Sequence, residues 1–321
     1  MMDSSHSKDD ENNHRMTAPL SPIYIVILNW NLPGDTVDCI HSVLNSVSPD
    51  MHIVMVDNGS HDNSVNIIRQ HFGTSIELLE NKTNLGFAGG VNVGLRHALE
   101  HEARSILILN NDTIIDASMI NRLVETAENH PNAGLIGPVI YYYSDKAQRI
   151  WRVGDLDLPI IPIPMRLSDR RVTAAGHTDF RLGYITACGM LIRRQVLEAI
   201  GLFDERYFMY YEDADFCQRA KNAGFEIWCS PQAKMWHKVS LSSQKQEPAR
   251  RYFQTWGRAE FYRTYQHGFS WVILLVYLVG RAILLTIKDV FSHSWNVIHS
   301  TWQGLWDALT HQPAMRFTIS K

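Results

Sequence analysis

The chain holds 321 residues, 45% of them hydrophobic and 20% charged. That balance excludes a largely disordered chain, a collagen-like fibre and a many-span membrane protein, and at this length a full core needs no disulfide staples. The net charge of −3 excludes, on bulk electrostatics, a chain devoted to nucleic acid. The four cysteines are scattered with no CxxC spacing, which argues against a structural zinc site and for a reducing compartment.

Residues 1–20 are polar, lack the apolar core of a secretory leader, and read as a disordered tail. Residues 23–28 form a short β-branched apolar run that suits a strand buried on both faces. Apolar residues at helical spacing follow from Val37 to Val47, then a strand over 52–56, a helix over 62–72 and a strand over 76–79. The glycine-rich segment 84–90 is expected to be a loop opening a helix at Val91, and residues 105–109 form a fourth strand ending at Asn110-Asn111-Asp112. This alternation predicts an α/β fold with a Rossmann-like, mostly parallel central sheet, whose ligands sit beyond the carboxyl ends of the strands.

Residues 144–182 carry Pro159, Pro162, Pro164 and several arginines and read as a variable loop insertion. Regular structure resumes over 184–192, with a helix near 194–200 and another running from Glu212 to Ala223. Residues 225–229 suit a short strand, and Ser230-Pro231 a turn before Trp236-His237. Further on, residues 234–263 hold seven Lys/Arg against two Glu, and 271–287 is an apolar stretch interrupted by Gly280-Arg281. Trp295, Trp302 and Trp306 follow it. A spanning helix needs ~20 apolar residues without a central charge, so this stretch reads first as an interfacial membrane anchor, then as a buried core or dimer helix, and last as a span.

Four features carry candidate chemistry. Asp112 at a strand end can hold a hard cation, although strands also end in Asn and Asp to make turns. Glu212, Asp213 and Asp215 open a helix amid aromatic residues; carboxylates in partly apolar surroundings can serve as general bases, or simply complement the helix dipole. His237 is one of fifteen histidines, and imidazole ligates ions such as Mn²⁺. The glycines before Val91 admit close backbone approach to an anion, but match neither GxGxxG nor a Walker loop.

In order and spacing, these segments resemble the family 2 glycosyltransferases with a GT-A fold, over roughly residues 22–240. The resemblance lies in Ile25–Asn31, in Val56-Asp57-Asn58-Gly59-Ser60 with Asp62, in residues 81–92 (NKTNLGFAGGVN), in Asn110-Asn111-Asp112 at the DxD position, and in residues 201–205 with 211–215. It implies a nucleotide-sugar half over about 21–115, an acceptor half over about 116–240, and a basic, helical, membrane-associating extension over 241–321. By the same resemblance Asn29, Asp57, Asn58, Asn84, Gly86, Asn111 and Asp112 would bind the nucleotide sugar, the Asn58 amide oxygen accepting a pyrimidine N3–H. Asp112 and His237 would hold Mg²⁺ or Mn²⁺, Asp213 would be the base of an inverting transfer, and Glu212 and Asp215 would position the acceptor. Two DxD acids are Asn here, a variant that looks like the rhamnosyltransferase branch using dTDP-L-rhamnose. The expected acceptor is a lipid-linked glycan for cell-surface polysaccharide, the expected location the cytoplasmic face of the membrane, and a homodimer is left open. The same chemistry with a UDP- or GDP-sugar is the alternative donor reading. A non-catalytic sugar-nucleotide-binding scaffold and a nucleotidyltransferase are the competing classes; the first draws only on the depleted DxD, and the second lacks a basic glycine-rich loop after strand one.

Overall fold

The computed structural model describes residues 20–46, 50–144, 149–155, 172, 174–239 and 247–314. The expected N-terminal tail through residue 19 and the prolines at 159–164 lie outside the described residues.

The first part of the chain alternates β1 (Ile23–Asn29), α1 (Pro33–Leu44), β2 (Met51–Asp57), α2 (Ser64–Phe72), β3 (Glu77–Glu80), α3 (Gly86–Glu100) and β4 (Ser105–Asn110). β3, β2, β1 and β4 lie side by side, all parallel. Register pairs Asn29 with Asp57 and Leu28 with Asn110, so the polar residues ending three strands meet along one edge. The β-branched runs are buried because helices cover both faces of the sheet.

The second part comprises β5 (Thr113–Ile115), α4 (Met119–Asn129), β6 (Ala133–Tyr142), β7 (Ile150–Arg152), β8 (Phe180–Leu182), β9 (Gly189–Arg193), α5 (Arg194–Ile200), α6 (Glu212–Asn222) and β10 (Glu226–His237). The sheet continues β4-β9-β6-β10-β5, with β9 antiparallel to β4 and β6 while β6 and β10 run parallel. The result is a ten-stranded mixed sheet whose β3-β2-β1-β4 half is parallel.

Three elements differ from the sequence reading. The strand β6 has no counterpart in the sequence reading; it contains Gly134, Gly137 and Pro138, residue types that are uncommon inside strands. Here those glycines serve close packing: a Cβ on Gly134 would meet Val196 Cγ2 at 2.7 Å, and one on Gly137 would meet Ile185 Cγ2 at 3.0 Å. β10 runs on through the expected Ser230-Pro231 turn, because a shift in its pairing with β6 between Ser230 and Lys234 absorbs Pro231 as an irregularity. Residues 86–90 of the glycine-rich segment are not loop but the first turns of α3. A Cβ on Gly90 would meet Leu28 Cδ1 at 2.6 Å and one on Gly94 would meet Val26 Cγ1 at 2.5 Å, so these residues seat the helix against the sheet.

The last three helices are α7 (Glu247–Tyr265), α8 (Phe269–Phe291) and α9 (Trp295–Leu309). They form a core of their own around Tyr252, Phe253, Trp256, Leu278 and Leu305, into which Tyr207 inserts from the segment before α6. α8 continues through Gly280-Arg281 without a break.

Candidate active site

Asn29 ties the parallel edge together. Its Nδ2 donates to Asp57 Oδ1 at 2.8 Å and Ser60 Oγ at 3.2 Å; its Oδ1 accepts from Thr36 Oγ1 at 2.7 Å and Asn111 Nδ2 at 3.1 Å. An amide side chain has two donors and two lone pairs, so every hydrogen-bonding position of Asn29 is used within the protein. Spare hydrogen-bonding capacity on this edge lies with its neighbours. Asp57 Oδ2 takes only the Ser60 N–H (2.9 Å), and Asn111 Oδ1 makes no hydrogen bond among the described residues. Asn29→Ala would remove these four hydrogen bonds, although Asp57, Thr36 and Asn111 each keep another partner. At a net ~0.5–1.5 kcal/mol per bond, the variant is expected to lose about 2–4 kcal/mol in chemical denaturation.

Asn58 differs from the sequence expectation. Its Oδ1 already accepts from Asn81 Nδ2 and the Leu85 N–H, both at 3.1 Å, and its Nδ2 donates to Asn84 Oδ1 and Gly86 O. The oxygen expected to meet a pyrimidine N3–H is filled, because the 81–86 loop folds onto it. Asn84 Oδ1 also accepts from the Gly86 N–H at 2.8 Å, and Gly86 sits at φ +78° with Phe208 O only 2.3 Å from where a Cβ would stand. The Phe87 N–H donates to Phe208 O at 2.7 Å. The start of α3 is thus joined to the segment around Phe208.

Asp112 and His237 come together across the sheet. The antiparallel register of β5 and β10 pairs Thr113 with His237, and the Lys238 N–H donates to Asp112 O at 2.9 Å. Both side chains are buried, with His237 Nε2 and Asp112 Oδ1 3.0 Å apart. Two ligands at adjacent positions ~2.1 Å from one octahedral ion lie about 3 Å apart, so the pair fits a divalent cation. No group of three His, Cys, Asp or Glu able to hold a metal occurs among the described residues, so the remaining positions would fall to substrate oxygens and water. Trp151 meets the His237 ring edge-on at 4.4 Å between centroids.

The Trp151-Arg152 dipeptide leads from that pair to the carboxylates. Arg152 ion-pairs with Asp155 at 2.6 Å and lies over the Tyr184 ring, 5.4 Å from its centroid. The Tyr184 hydroxyl donates to Asp213 Oδ2 at 2.6 Å, while Asp213 Oδ1 accepts from the Ala214 N–H. Burial pushes the Asp213 carboxyl up; Tyr184, Arg152 and the Ala214 and Ala187 N–H groups oppose that rise in part. The Cys188 thiol is pushed up by burial and then by Asp112, with Asp213 adding to it, so both carboxylates flank one thiol. Sequence reading missed Tyr184 and Arg152, since no local pattern marks a hydroxyl that meets a carboxylate from a distant segment.

Glu212 is buried, and its Oε2 has no partner among the described residues. Burial first, and the Asp213 charge second, hold its carboxyl well above the usual range. A raised native pKa means stability that is full below the unfolded value near 4.3 and is lost as pH climbs to the native one, at about 1.4 kcal/mol per pH unit. Glu212→Gln copies the protonated form, so it is expected to match the wild type in acid and exceed it as pH rises, read by denaturant midpoints across pH. Asp215 faces elsewhere: its oxygens accept from Arg219 Nε and the Tyr265 hydroxyl, both at 2.7 Å, fastening α6 to α7.

Residues 24–201, more than half of the chain, match the model of the family described as glycosyl transferase family 2. A dTDP-rhamnosyl transferase RfbF of Shigella flexneri is 27% identical over 247 residues, covering 73% of this chain and 77% of that protein. An N-acetylglucosaminyl-diphospho-decaprenol L-rhamnosyltransferase of Mycobacterium tuberculosis is 26% identical over 214 residues, 61% of this chain and 69% of that one. Among solved structures, the mannosyltransferase PcManGT of Pyrobaculum calidifontis, in complex with GDP-Man and Mn²⁺, superposes with a TM-score of 0.58 at 13% identity over 95% of this chain and 94% of that one. GalNAc-T7 with UDP, GalNAc and Mn²⁺ gives 0.59 at 12% identity, over 91% of this chain and 58% of that one. These neighbours share the GT-A architecture expected from the sequence. The chain therefore belongs to glycosyl transferase family 2, and is a glycosyltransferase resembling the rhamnosyltransferases within it.

Proposed function

We propose that this glycosyltransferase moves L-rhamnose from dTDP-L-rhamnose, with inversion, to a hydroxyl of a lipid-linked glycan on the cytoplasmic face of the membrane. The observation that carries the reading is the joining of the Asp112–His237 pair to Asp213 through Trp151, Arg152 and Tyr184, beyond the edge where a parallel α/β sheet binds its ligands.

In this reading Asp57 and Asn111 face the nucleoside, while Asn29 and Asn58 hold the loops that shape its pocket. Asp112 and His237 would hold Mg²⁺ or Mn²⁺, which when bound supplies Lewis-acid stabilisation of the charge growing on the departing diphosphate. Asp213 takes the proton from the acceptor hydroxyl as that oxygen attacks the anomeric carbon. Tyr184 fixes one carboxylate oxygen of the base and the Ala214 N–H the other, so the acceptor hydroxyl would meet a remaining lone pair. Glu212, whose carboxyl burial and the Asp213 charge push above the usual range, stands next to the base. No covalent intermediate is needed, and Cys188, its thiol held protonated by burial, is no nucleophile.

Both relatives named above transfer rhamnose by their names, and one acts on a diphospho-decaprenol acceptor; both solved neighbours contain Mn²⁺. Membrane attachment is supported by α8, the one helix among the described residues long and apolar enough to cross a bilayer, with a mean hydropathy of 2.1. Its buried face packs on α7 and α9, and Arg251 on α7 pairs with its Asp289 at 2.8 Å. The opposite face exposes Phe269, Val276, Leu284, Ile287 and Phe291, with Trp295 and Trp306 beside it on α9. One bound face and one apolar exposed face suit a helix lying in the interface, with basic residues around it for anionic headgroups.

A thermal-shift screen of nucleotide sugars with Mg²⁺ or Mn²⁺ tests the donor, since a ligand of the native state raises Tm by mass action. The expected result is the largest rise with dTDP-rhamnose. A larger rise with UDP- or GDP-sugars overturns the donor, and no rise with any nucleotide sugar overturns the reading.

A further inference from the structure

Where the catalytic segment meets the C-terminal helices, positive charge gathers without acidic partners. Arg258 on α7 lies over the Tyr211 ring at 5.7 Å from its centroid and donates to the Tyr277 hydroxyl on α8 at 3.0 Å. Arg281 stands one turn beyond Tyr277, on the same flank of α8. Its guanidinium is held down by desolvation first and by the like charge of Arg258 second, with Arg251 adding to it. Arg251 is compensated by Glu247 and Asp289, whereas Arg258 and Arg281 have no carboxylate within ion-pair distance among the described residues. Two guanidinium groups brought together without an acid repel one another, and the arrangement is relieved by an anion.

Its position narrows what that anion is. On one side the flank bearing Tyr277 and Arg281 borders the exposed apolar face of α8, with Val276 and Leu284 beside them. On the other side is Tyr211, the residue that caps α6, and Tyr211 feels Arg258, Arg281 and Asp213 together. Tyr211 stands two residues before Asp213, at the start of the same helix. A group held at the arginines thus has an apolar surface on one side and the segment that carries the base on the other. Guanidinium forks match phosphate oxygens, and a diphosphate offers enough of them for both.

We propose that Arg258 and Arg281 seat the diphosphate of a prenyl-diphosphate-linked acceptor, with its lipid running along the exposed face of α8 and its first sugar reaching Asp213. This rests on the reading of the acceptor as lipid-linked, and it assigns that acceptor's diphosphate to particular side chains. Neither arginine belongs to the donor or metal residues, so the site is separate from the one that holds the nucleotide diphosphate.

The test uses the full chain and co-sedimentation with three vesicle types: phosphatidylcholine alone, phosphatidylcholine with geranylgeranyl diphosphate, and phosphatidylcholine with phosphatidylglycerol at equal charge. The wild type is expected to prefer the prenyl diphosphate vesicles. Arg281→Gln, which breaks no ion pair among the described residues, is expected to weaken that binding roughly tenfold, about 1.4 kcal/mol, and to leave phosphatidylglycerol binding within twofold. Arg258→Gln should do the same, and Lys288→Gln, on the same flank of α8, should leave the preference unchanged. If Arg281→Gln and Arg258→Gln keep the wild-type preference, the assignment to these arginines is overturned while the lipid-linked reading stands. If the wild type has no preference between the two anionic vesicles, the lipid-linked reading fails and the proposal with it. Equal loss on both anionic vesicles means general attraction to negative surfaces and overturns the site. Inorganic pyrophosphate binding as tightly as the vesicle form means a soluble diphosphate ligand and overturns the lipid part.

Discussion

Replacing Asp213 with Asn is expected to lower kcat about 10³-fold, within the ~10²–10⁴ that a positioned base contributes, while the affinity for dTDP-rhamnose changes less than twofold. The amide keeps the shape of the carboxylate and still accepts from Tyr184, so the loss is chemical. Asp213 is buried at the start of α6, whereas the proposed donor residues lie at the end of β2 (Asp57) and just after β4 (Asn111). The sign of the pH dependence follows from the burial that raises this carboxyl. A base works deprotonated, so kcat falls as pH drops through its pKa, and a raised pKa puts that acid limb above the ordinary carboxylate range. Glu212, Tyr211, Tyr184, Arg152, Asp155 and Cys188 all bear on this group. Of these, the Tyr184 hydroxyl favours the charged form directly. Tyr184→Phe is therefore expected to shift the acid limb to higher pH and to lower kcat more than it raises KM. Near-wild-type turnover of Asp213→Asn at neutral pH would remove Asp213 from the role.

The parallel half was legible because its strands obey a simple rule. Residues 23–27, 53–56 and 106–109 are buried on both faces, so they appear as unbroken apolar runs, and each strand ends in Asn or Asp at the sheet edge. The same rule failed where backbone closeness mattered more than side-chain pattern. Gly134 and Gly137 lie inside β6, and Gly89 and Gly90 inside α3, because neighbouring side chains occupy the space a Cβ would need. Local propensity reads such glycines as breaks; only the fold supplies the neighbour that makes them necessary. The candidate site divides in the same way. Asp112, Asp213 and His237 could be singled out by residue type and by motif resemblance. Saturation could not be foreseen, because whether Asn29 and Asn58 have a free lone pair depends on Thr36, Asn81, Leu85 and Asn111 arriving from other segments.

The depleted DxD bears on the second large effect, the loss expected from disturbing Asp112 and His237. One carboxylate where relatives of the DxD type carry more leaves less negative charge to attract a cation, and the imidazole of His237 adds a ligand without adding charge. The site should therefore hold its ion weakly until the donor diphosphate contributes charge of its own, so metal and donor are expected to bind cooperatively. Titrating Mn²⁺ with and without dTDP-rhamnose checks this. Asp112→Asn and His237→Ala are each expected to lower metal-stimulated turnover by roughly 10²–10³-fold, the several kcal/mol a Lewis acid supplies at a developing phosphate charge. The two losses should be far from additive, because either change dismantles the same site. A chelator should bring the wild type down to the level of the double variant and should not affect the double variant further. His237→Ala should also move the preference from Mn²⁺ toward Mg²⁺, since imidazole suits the transition metal and the remaining donors are oxygens. Full turnover of the chelated wild type would show that the His237–Asp112 contact, 3.0 Å long, is a structural hydrogen bond and no ion site.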